Sequence, residues 1–215
     1  MMKKLFTIAA LALATLSVCA QDTAYKITGT VPADVKTVYL GLMTARQPVD
    51  SAAVTNGKFT LDGTLPKDEI MLIITGNYYL PVFNDGTPVD LNTVDKTFNG
   101  SELNKKMYAY DNELSAVTER LNAAVMEYRA AAADTTAAGK AKLKNIEAKA
   151  EQLQNEAITK QIDIVKANKD NLIPAAFLPQ LYYMLDYNEL KELLPETAPY
   201  YNHPAMARVK AQLAA

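Results

Sequence analysis

The chain has 215 residues, 49% of them hydrophobic, and a formal net charge of −2 from 24 acidic and 22 basic residues. This length can bury a sizeable core, and the slightly acidic balance excludes a typical nucleic-acid binder, which neutralises phosphates with excess lysine and arginine. A single cysteine and a single histidine exclude the usual zinc ligand sets and the paired cysteines of thiol–disulfide exchange.

The N-terminus has the pattern of an export signal. Two lysines precede the apolar run Leu5 to Val18, which is shorter than a membrane span, and small residues follow it. We expect cleavage after Ala20, so that the mature chain begins at Gln21 and contains no cysteine. The alternative is lipoprotein processing, in which Cys19 becomes the acylated first residue and anchors the protein to a membrane face. We therefore expect a protein of the periplasm or cell envelope, or a secreted one.

Short alternating stretches separated by turn residues extend from residue 25 to about residue 99, as is typical of an antiparallel β-sandwich or barrel. The period of two predicts strands at 25–31 and 38–42, and further strands are expected at 70–74, 78–83 and 89–92. Pro81 predicts that its strand lies at an edge or a bulge. Asn56 and Gly57 tolerate positive φ, so they predict a β-hairpin that joins a strand at 49–54 to one at 59–61.

Helical periodicity replaces this pattern after residue 100. Ser101 is a good N-cap, and apolar residues then recur every three or four positions as far as Tyr128. Capping residues at 134–136 separate this helix from a second one, and the two are expected to form an antiparallel hairpin. Prolines limit the remaining chain to short helical pieces at 174–187, 188–194 and 204–213.

These patterns together predict an α+β fold. A signal peptide occupies residues 1–20, and an N-terminal antiparallel β-sandwich-like domain occupies residues 21–100. A long antiparallel helical hairpin and short C-terminal helices follow at 101–215. We expect no transmembrane segment in the mature chain, because the longest later apolar run has only five residues, Ile70 to Ile74.

No residue pattern in the sequence indicates a catalytic, cofactor or metal site. His203 can in principle act as a general base, but a capping or surface role is the simpler interpretation, because no nucleophile motif accompanies it. A carboxylate-dependent glycoside hydrolase stays open as an alternative, since two acids need only the right separation in space. We expect a protein that binds rather than catalyses.

The tail is rich in tyrosine, which combines a large apolar ring with a polar tip and is common at interfaces. The candidate interaction surface consists of Tyr182, Tyr183, Tyr187, Tyr200 and Tyr201. The spacing of Tyr183 and Tyr187 is also compatible with packing against the hairpin. The expected partner is an envelope protein or an extracellular ligand, and no nucleic acid.

Several short segments of the chain are similar to those of one known family. They are Ile27–Val31, Val38–Leu40, Asp50–Ala52, Asn56–Phe59, Phe83–Gly86, Asn99–Asn104, Asn171–Ala176 and Leu185–Tyr187. Together they resemble the family catalogued as domain of unknown function 4369. The resemblance implies an exported bacterial module that typically precedes a thioredoxin-like thiol-disulfide oxidoreductase domain.

The sequence departs from that arrangement because it ends at Ala215, where the oxidoreductase domain would follow. A thiolate nucleophile is required for thiol exchange, and none is expected after removal of the leader. The resemblance therefore does not imply oxidoreductase activity here. It does imply an alternative function, in which this chain is an accessory partner that docks a separate thioredoxin-like protein.

Overall fold

The computed structural model describes residues 21–45, 47–76 and 78–214. The expected leader, with Cys19 and the cleavage position Ala20, lies outside the described residues. The strands are β1 (Asp22–Thr30), β2 (Thr37–Leu42), β3 (Asp50–Ala53), β4 (Lys58–Pro66), β5 (Ile70–Thr75), β6 (Tyr78–Phe83), β7 (Val89–Asn92) and β8 (Thr97–Asn99). The α-helices are α1 (Glu102–Ala131), α2 (Ala137–Lys166), α3 (Pro174–Leu181), α4 (Tyr187–Leu193) and α5 (Ala207–Leu213).

The strands form two four-stranded sheets that pack face to face. The first sheet has the order β4-β1-β7-β8 and the second the order β3-β2-β5-β6. Alternate residues of both sheets point inward, and Ile27, Leu40, Ile73 and Leu80 are fully buried between them. The expected α+β fold with an N-terminal sandwich is confirmed, and Pro81 lies on an edge strand as predicted. One pairing, β1 with β7, is parallel instead of antiparallel.

The predicted hairpin at Asn56 and Gly57 is correct at its turn and wrong beyond it. Both residues have positive φ, and the flanking Thr55 and Lys58 exchange two backbone hydrogen bonds. The strands then diverge into different sheets, where β3 pairs with β2 and β4 pairs with β1. The turn therefore connects the two layers of the sandwich.

Helix α1 closes the open side of the sandwich, where β6 and β8 are edge strands. Asn104 bonds the backbone of β6, Tyr108 stacks on Phe98 of β8 with ring centroids 4.9 Å apart, and Asp111 accepts a hydrogen bond from the Tyr78 hydroxyl. These helix positions are spaced by four and three residues, so they share one face of α1. The sandwich thereby fixes the direction of the hairpin.

The helical hairpin has the predicted caps, and the tail packs at its base. Ser101 and Thr136 accept hydrogen bonds from the backbone N–H groups three residues later. The tail core includes Ile70 and Phe83 from the outer face of the second sheet, so the sheet and the tail share buried surface. No helix in the described part of the chain is long and apolar enough to cross a membrane.

The tail helices are shorter than predicted in one place. The expected piece at 174–187 splits into α3 and a 3-10 turn at Tyr182–Met184. Asp186 then caps α4, because its side chain accepts a hydrogen bond from the Glu189 backbone while the Glu189 side chain accepts one from the Asp186 backbone. This capping box makes Tyr187 the first residue of α4 instead of the end of the preceding helix.

Candidate functional site

The structure separates the five tail tyrosines into core and surface residues. Tyr200 is fully buried, and its hydroxyl donates a hydrogen bond of 2.7 Å to the Leu193 carbonyl oxygen. Burial raises the pKa of Tyr200 to about 12. Tyr200 therefore belongs to the tail core, where its hydroxyl attaches the segment to the end of α4, and it presents no surface to a partner.

The other four tyrosines keep at least part of their surface accessible. Tyr183 is 71% exposed and Tyr187 is 56% exposed, whereas Tyr182 and Tyr201 are half-buried. Tyr182 and Tyr183 contact each other edge to face, with ring centroids 6.0 Å apart. The alternative that Tyr183 and Tyr187 pack against the hairpin does not fit these exposures, whereas Tyr182 packs against the core of the tail.

Tyr187 and Tyr201 lie together in a groove between α4 and α5, which we call the tail groove. Its volume is about 520 Å³, and it is lined by Tyr187, Lys191, Leu194, Pro195, Glu196, Tyr201, Lys210, Leu213 and Ala214. A cavity of this size is within the range of ligand pockets. The groove therefore contains two of the five tyrosines that the sequence singled out.

Each tyrosine of the tail groove has a lysine beside its ring. The Lys191 ammonium lies 5.8 Å from the centroid of Tyr187, and the Lys210 ammonium lies 5.0 Å from that of Tyr201. Both distances are within the range of cation–π attraction, which holds an ammonium against the negative face of a ring. The groove thus combines apolar rings with positive charge.

Sequence reasoning missed both lysines. Tyr187 and Lys191 are four residues apart on α4, so helical spacing would have predicted that pair. Tyr201 and Lys210 come from different elements, and only the fold of the tail brings them together.

His203 has a structural role in the tail. Its Nδ1 accepts a hydrogen bond from the Ala205 backbone N–H at 3.1 Å, which assigns the proton of the neutral ring to Nε2. Nε2 then donates to the Asp68 carbonyl oxygen at 2.9 Å, in the turn between β4 and β5. The imidazole therefore caps a helix start and joins the tail to the sandwich.

No metal centre is apparent in the part of the chain that the structure describes, where no three His, Cys, Asp or Glu side chains group closely enough to hold an ion. Asp111 has a raised pKa. Desolvation by burial raises it by more than the hydrogen bond from the Tyr78 hydroxyl lowers it. Asp111 lines a crevice of about 230 Å³ as its one carboxylate, whereas hydrolysis by paired acids needs two.

Comparison with protein families identifies the sandwich. Residues 25–107 match the model of the family described as "Domain of unknown function (DUF4369)". Residues 25–107 form a DUF4369 domain. The DUF4369 domain thus comprises most of β1, the rest of the sandwich and the first turns of α1, which include Asn104. This confirms the resemblance over that segment. No curated protein matches the chain.

The tail groove lies outside the DUF4369 match. Residues 171–176 and 185–187, which resemble the family's interdomain helices in sequence, also lie beyond residue 107. Their resemblance stays a prediction.

Proposed function

We propose that this protein is an exported, non-enzymatic binding module that holds an acidic segment of a partner protein in the tail groove. The observation that carries the proposal is the pairing of Tyr187 with Lys191 and of Tyr201 with Lys210 in one groove. Aromatic rings supply contact area with little loss of side-chain freedom, and the ammonium groups select a partner of opposite charge.

The remaining lining of the groove supports a peptide segment with apolar residues among its acidic ones. Leu194, Pro195 and Leu213 are apolar residues of the lining, and Pro195 and Leu213 keep part of their surface exposed. Glu196 also lines the groove, and it disfavours a second carboxylate at its own position. A segment that combines acidic side chains for the lysines with apolar side chains for Pro195 and Leu213 fits this lining.

Export is part of the proposal and is supported by the leader pattern in the sequence. Mass spectrometry of the mature N-terminus tests it. A start at Gln21 supports release by signal peptidase, and a diacylglyceryl group on Cys19 supports membrane anchoring instead. An N-terminus that still carries the leader in the envelope-free fraction of the cell contradicts export.

The groove is tested with a defined probe, a fluorescein-labelled peptide of glutamate and leucine, in a fluorescence anisotropy titration. Replacing both lysines, by Lys191→Glu and Lys210→Glu, should weaken binding by about tenfold or more at low salt. The matched control is Lys144→Glu on the exposed face of α2, which should bind as the wild type does. Equal binding by all three proteins, or equal binding of a peptide with lysine in place of glutamate, would contradict the proposal.

A separate thioredoxin-like oxidoreductase is a specific partner that the tail sequence favours, because the tail resembles helices that precede such a domain. The rate at which a thioredoxin-like envelope protein reduces a disulfide substrate should change when this chain is added. Addition of the Lys191→Glu and Lys210→Glu double variant should leave the reduction rate at its value without this chain. If wild-type protein neither binds the oxidoreductase nor alters its rate, this partner is excluded while the peptide titration still tests the groove.

A further inference from the structure

A cavity of about 300 Å³ lies at the end of the sandwich where β5 ends and β6 begins, and we call it the sandwich-end cavity. Pro32 and Val35 line it from the loop between β1 and β2, and Thr93 and Lys96 line it from the turn between β7 and β8. Residues of β5, β6, β7 and α1 form the remaining walls. This volume is at the lower end of the range for small-molecule sites.

One stripe of α1 lines the sandwich-end cavity. Tyr108, Asn112, Ser115 and Glu119 are spaced by four, three and four residues, so they lie on one side of the helix. The side chains of Asn112, Ser115 and Glu119 form no hydrogen bond with any described residue, unlike other polar side chains of α1. The helix therefore brings to the cavity three polar groups that its own fold does not use.

Thr75 and Leu91 form the floor of the sandwich-end cavity, since they are the most buried residues of its lining. Thr75 is 6% exposed, and its hydroxyl has no hydrogen-bond partner in the part of the chain that the structure describes. The hydroxyl oxygen is not sealed from solvent either, so it opens into the cavity. Because buried polar groups are almost always bonded, this hydroxyl points to a ligand that bonds it.

Two opposite charges lie at the mouth of the sandwich-end cavity. Lys96 of the β7–β8 turn and Glu119 of α1 are both exposed, and they belong to different walls. Within residues 21–45, 47–76 and 78–214, neither forms an ion pair, with the other or with a third residue. The mouth thus offers an ammonium group and a carboxylate group to a ligand.

The turn that carries Lys96 is held by one asparagine. The Asn92 Oδ1 atom accepts hydrogen bonds from the Val94 and Asp95 backbone N–H groups, both at 3.0 Å. The Asn92 amide nitrogen donates to the Asp95 carboxylate at 2.9 Å. These three bonds fix the backbone before Lys96 and keep this residue at the mouth.

We infer that the sandwich-end cavity binds a free aromatic amino acid as its zwitterion. Such a ligand has an ammonium group for Glu119 and a carboxylate for Lys96, and each pair forms a charge-assisted hydrogen bond. Its side chain extends to the floor at Leu91, between walls that include Tyr78 and Tyr108. An aromatic side chain suits these walls because aromatic groups pack favourably on one another. A ligand with a single charge would leave the opposite charge of the mouth unmatched.

The sandwich-end cavity shares no residue with the tail groove, so this inference is independent of the proposed protein partner. The test is a titration of the isotope-labelled full chain with L-phenylalanine, followed by the NMR shifts of its backbone amides. N-acetyl-phenylalanine lacks the ammonium group and phenylalanine amide lacks the carboxylate. Each should bind about tenfold more weakly than phenylalanine, since each loses one charge-assisted contact.

Charge variants assign the two ends of the ligand. Glu119→Gln should weaken binding of phenylalanine by about tenfold and leave binding of N-acetyl-phenylalanine unchanged, because that compound has no ammonium group to lose. Lys96→Gln should weaken binding of phenylalanine and leave binding of phenylalanine amide unchanged. Glu113→Gln and Lys106→Gln are the matched controls, since both residues are exposed on α1 outside the lining.

The Thr75 hydroxyl gives a separate test at the floor. L-tyrosine should bind more tightly than L-phenylalanine, because its hydroxyl can bond that of Thr75. Thr75→Val removes the hydroxyl and keeps a similar shape, so it should abolish this preference while the affinity for phenylalanine stays within about twofold. Thr75→Ser keeps the hydroxyl and should keep the preference. Circular dichroism should show both variants folded.

Three results would overturn the inference. The first is that phenylalanine and tyrosine shift no amide of the cavity lining up to their limits of solubility. The second is equal binding of phenylalanine by the wild type and both charge variants. The third is binding of N-acetyl-phenylalanine or phenylalanine amide as tight as that of phenylalanine, since the cavity would then select a singly charged ligand.

Discussion

The side chain of Asn104 acts as a strand partner for Phe83. Its Oδ1 accepts a hydrogen bond of 2.7 Å from the Phe83 backbone N–H, and its Nδ2 donates one of 3.0 Å to the Phe83 carbonyl oxygen. Asn104 is fully buried in the first turn of α1, and Phe83 ends the edge strand β6. The amide thus satisfies backbone groups that no neighbouring strand reaches, and it attaches the helix to the sandwich.

Asn104→Ala should therefore be strongly destabilising. The variant leaves the Phe83 N–H unpaired and removes one of two hydrogen bonds to the Phe83 carbonyl, which also accepts one from the Asp85 N–H, so the free energy of unfolding falls by about 1–3 kcal/mol. Urea denaturation followed by circular dichroism measures the loss. Asn112→Ala, an exposed position on the same helix, is the control and should change stability by less than about 0.5 kcal/mol. Similar losses in both variants would contradict the role of Asn104.

Gly29→Ala and Gly41→Ala should differ although both glycines lie inside strands. A Cβ on Gly29 would lie 2.6 Å from the Phe59 ring and would also clash with the Leu91 carbonyl, so the variant loses about 3 kcal/mol. At Gly41 the nearest atom is 3.4 Å away, which is ordinary contact. Thermal unfolding should show a lower midpoint for Gly29→Ala alone. The clash also explains why a glycine stands in this DUF4369 strand.

Tyr200→Phe should change how the free energy of unfolding depends on pH above pH 10. The unfolded chain loses the Tyr200 proton near the ordinary pKa of 10, whereas burial raises the folded pKa to about 12. Between these values the folded state holds more protons, so the stability contributed by this group falls by about 1.4 kcal/mol per pH unit as pH rises. The variant lacks this loss, although it is less stable at pH 7 by about 1 kcal/mol because the bond to Leu193 is missing.

The measurement is urea unfolding of both proteins at pH 7 and at steps between pH 10 and 12. The advantage of the wild type at pH 7 should shrink across that window. A constant difference in unfolding free energy from pH 7 to 12 would show that the Tyr200 hydroxyl titrates alike in the folded and unfolded chain.

Asp111→Asn should remove a stabilisation that the wild type gains as pH falls. Burial raises the pKa of Asp111 above its ordinary value, so the folded state binds the proton more tightly than the unfolded state does. The resulting stabilisation is complete below the unfolded pKa and is lost as pH rises through the folded pKa. Relative to the variant, the wild type should become more stable as pH falls from 7 to 4. The amide oxygen that the substitution introduces can still accept the hydrogen bond from Tyr78, so the substitution changes the titration and keeps this contact. A difference in unfolding free energy between the two proteins that does not change with pH would contradict this prediction.

His203→Ala should loosen the tail from the sandwich. The variant loses the hydrogen bond to the Asp68 carbonyl and the cap on Ala205, at a cost of about 1–3 kcal/mol. Hydrogen exchange should show faster exchange of amides in the β4–β5 turn and at the start of α5. Asn202→Ala is the adjacent exposed control. Unchanged exchange in the turn would mean that other contacts hold the tail in place.

Much of the fold was predictable because its signals are local. The alternation of buried residues in the strands, the N-caps Ser101 and Thr136, and the turn at Asn56 and Gly57 each depend on residues within a few positions of one another. The hairpin beyond that turn was not predictable, since the choice of strand partner depends on β1 and β2, which lie far away in the chain. Strand β8 is only three residues long and has no pattern of its own.

The candidate sites show the same division more sharply. The sequence by itself determined the class of fold, the tail tyrosines as candidates and the DUF4369 resemblance, because composition and short-range periodicity encode these. Only the tertiary structure decided that Tyr200 is buried and that Lys210 lies over Tyr201. Burial and side-chain contact depend on which distant segments pack together, and no window of the sequence contains that information.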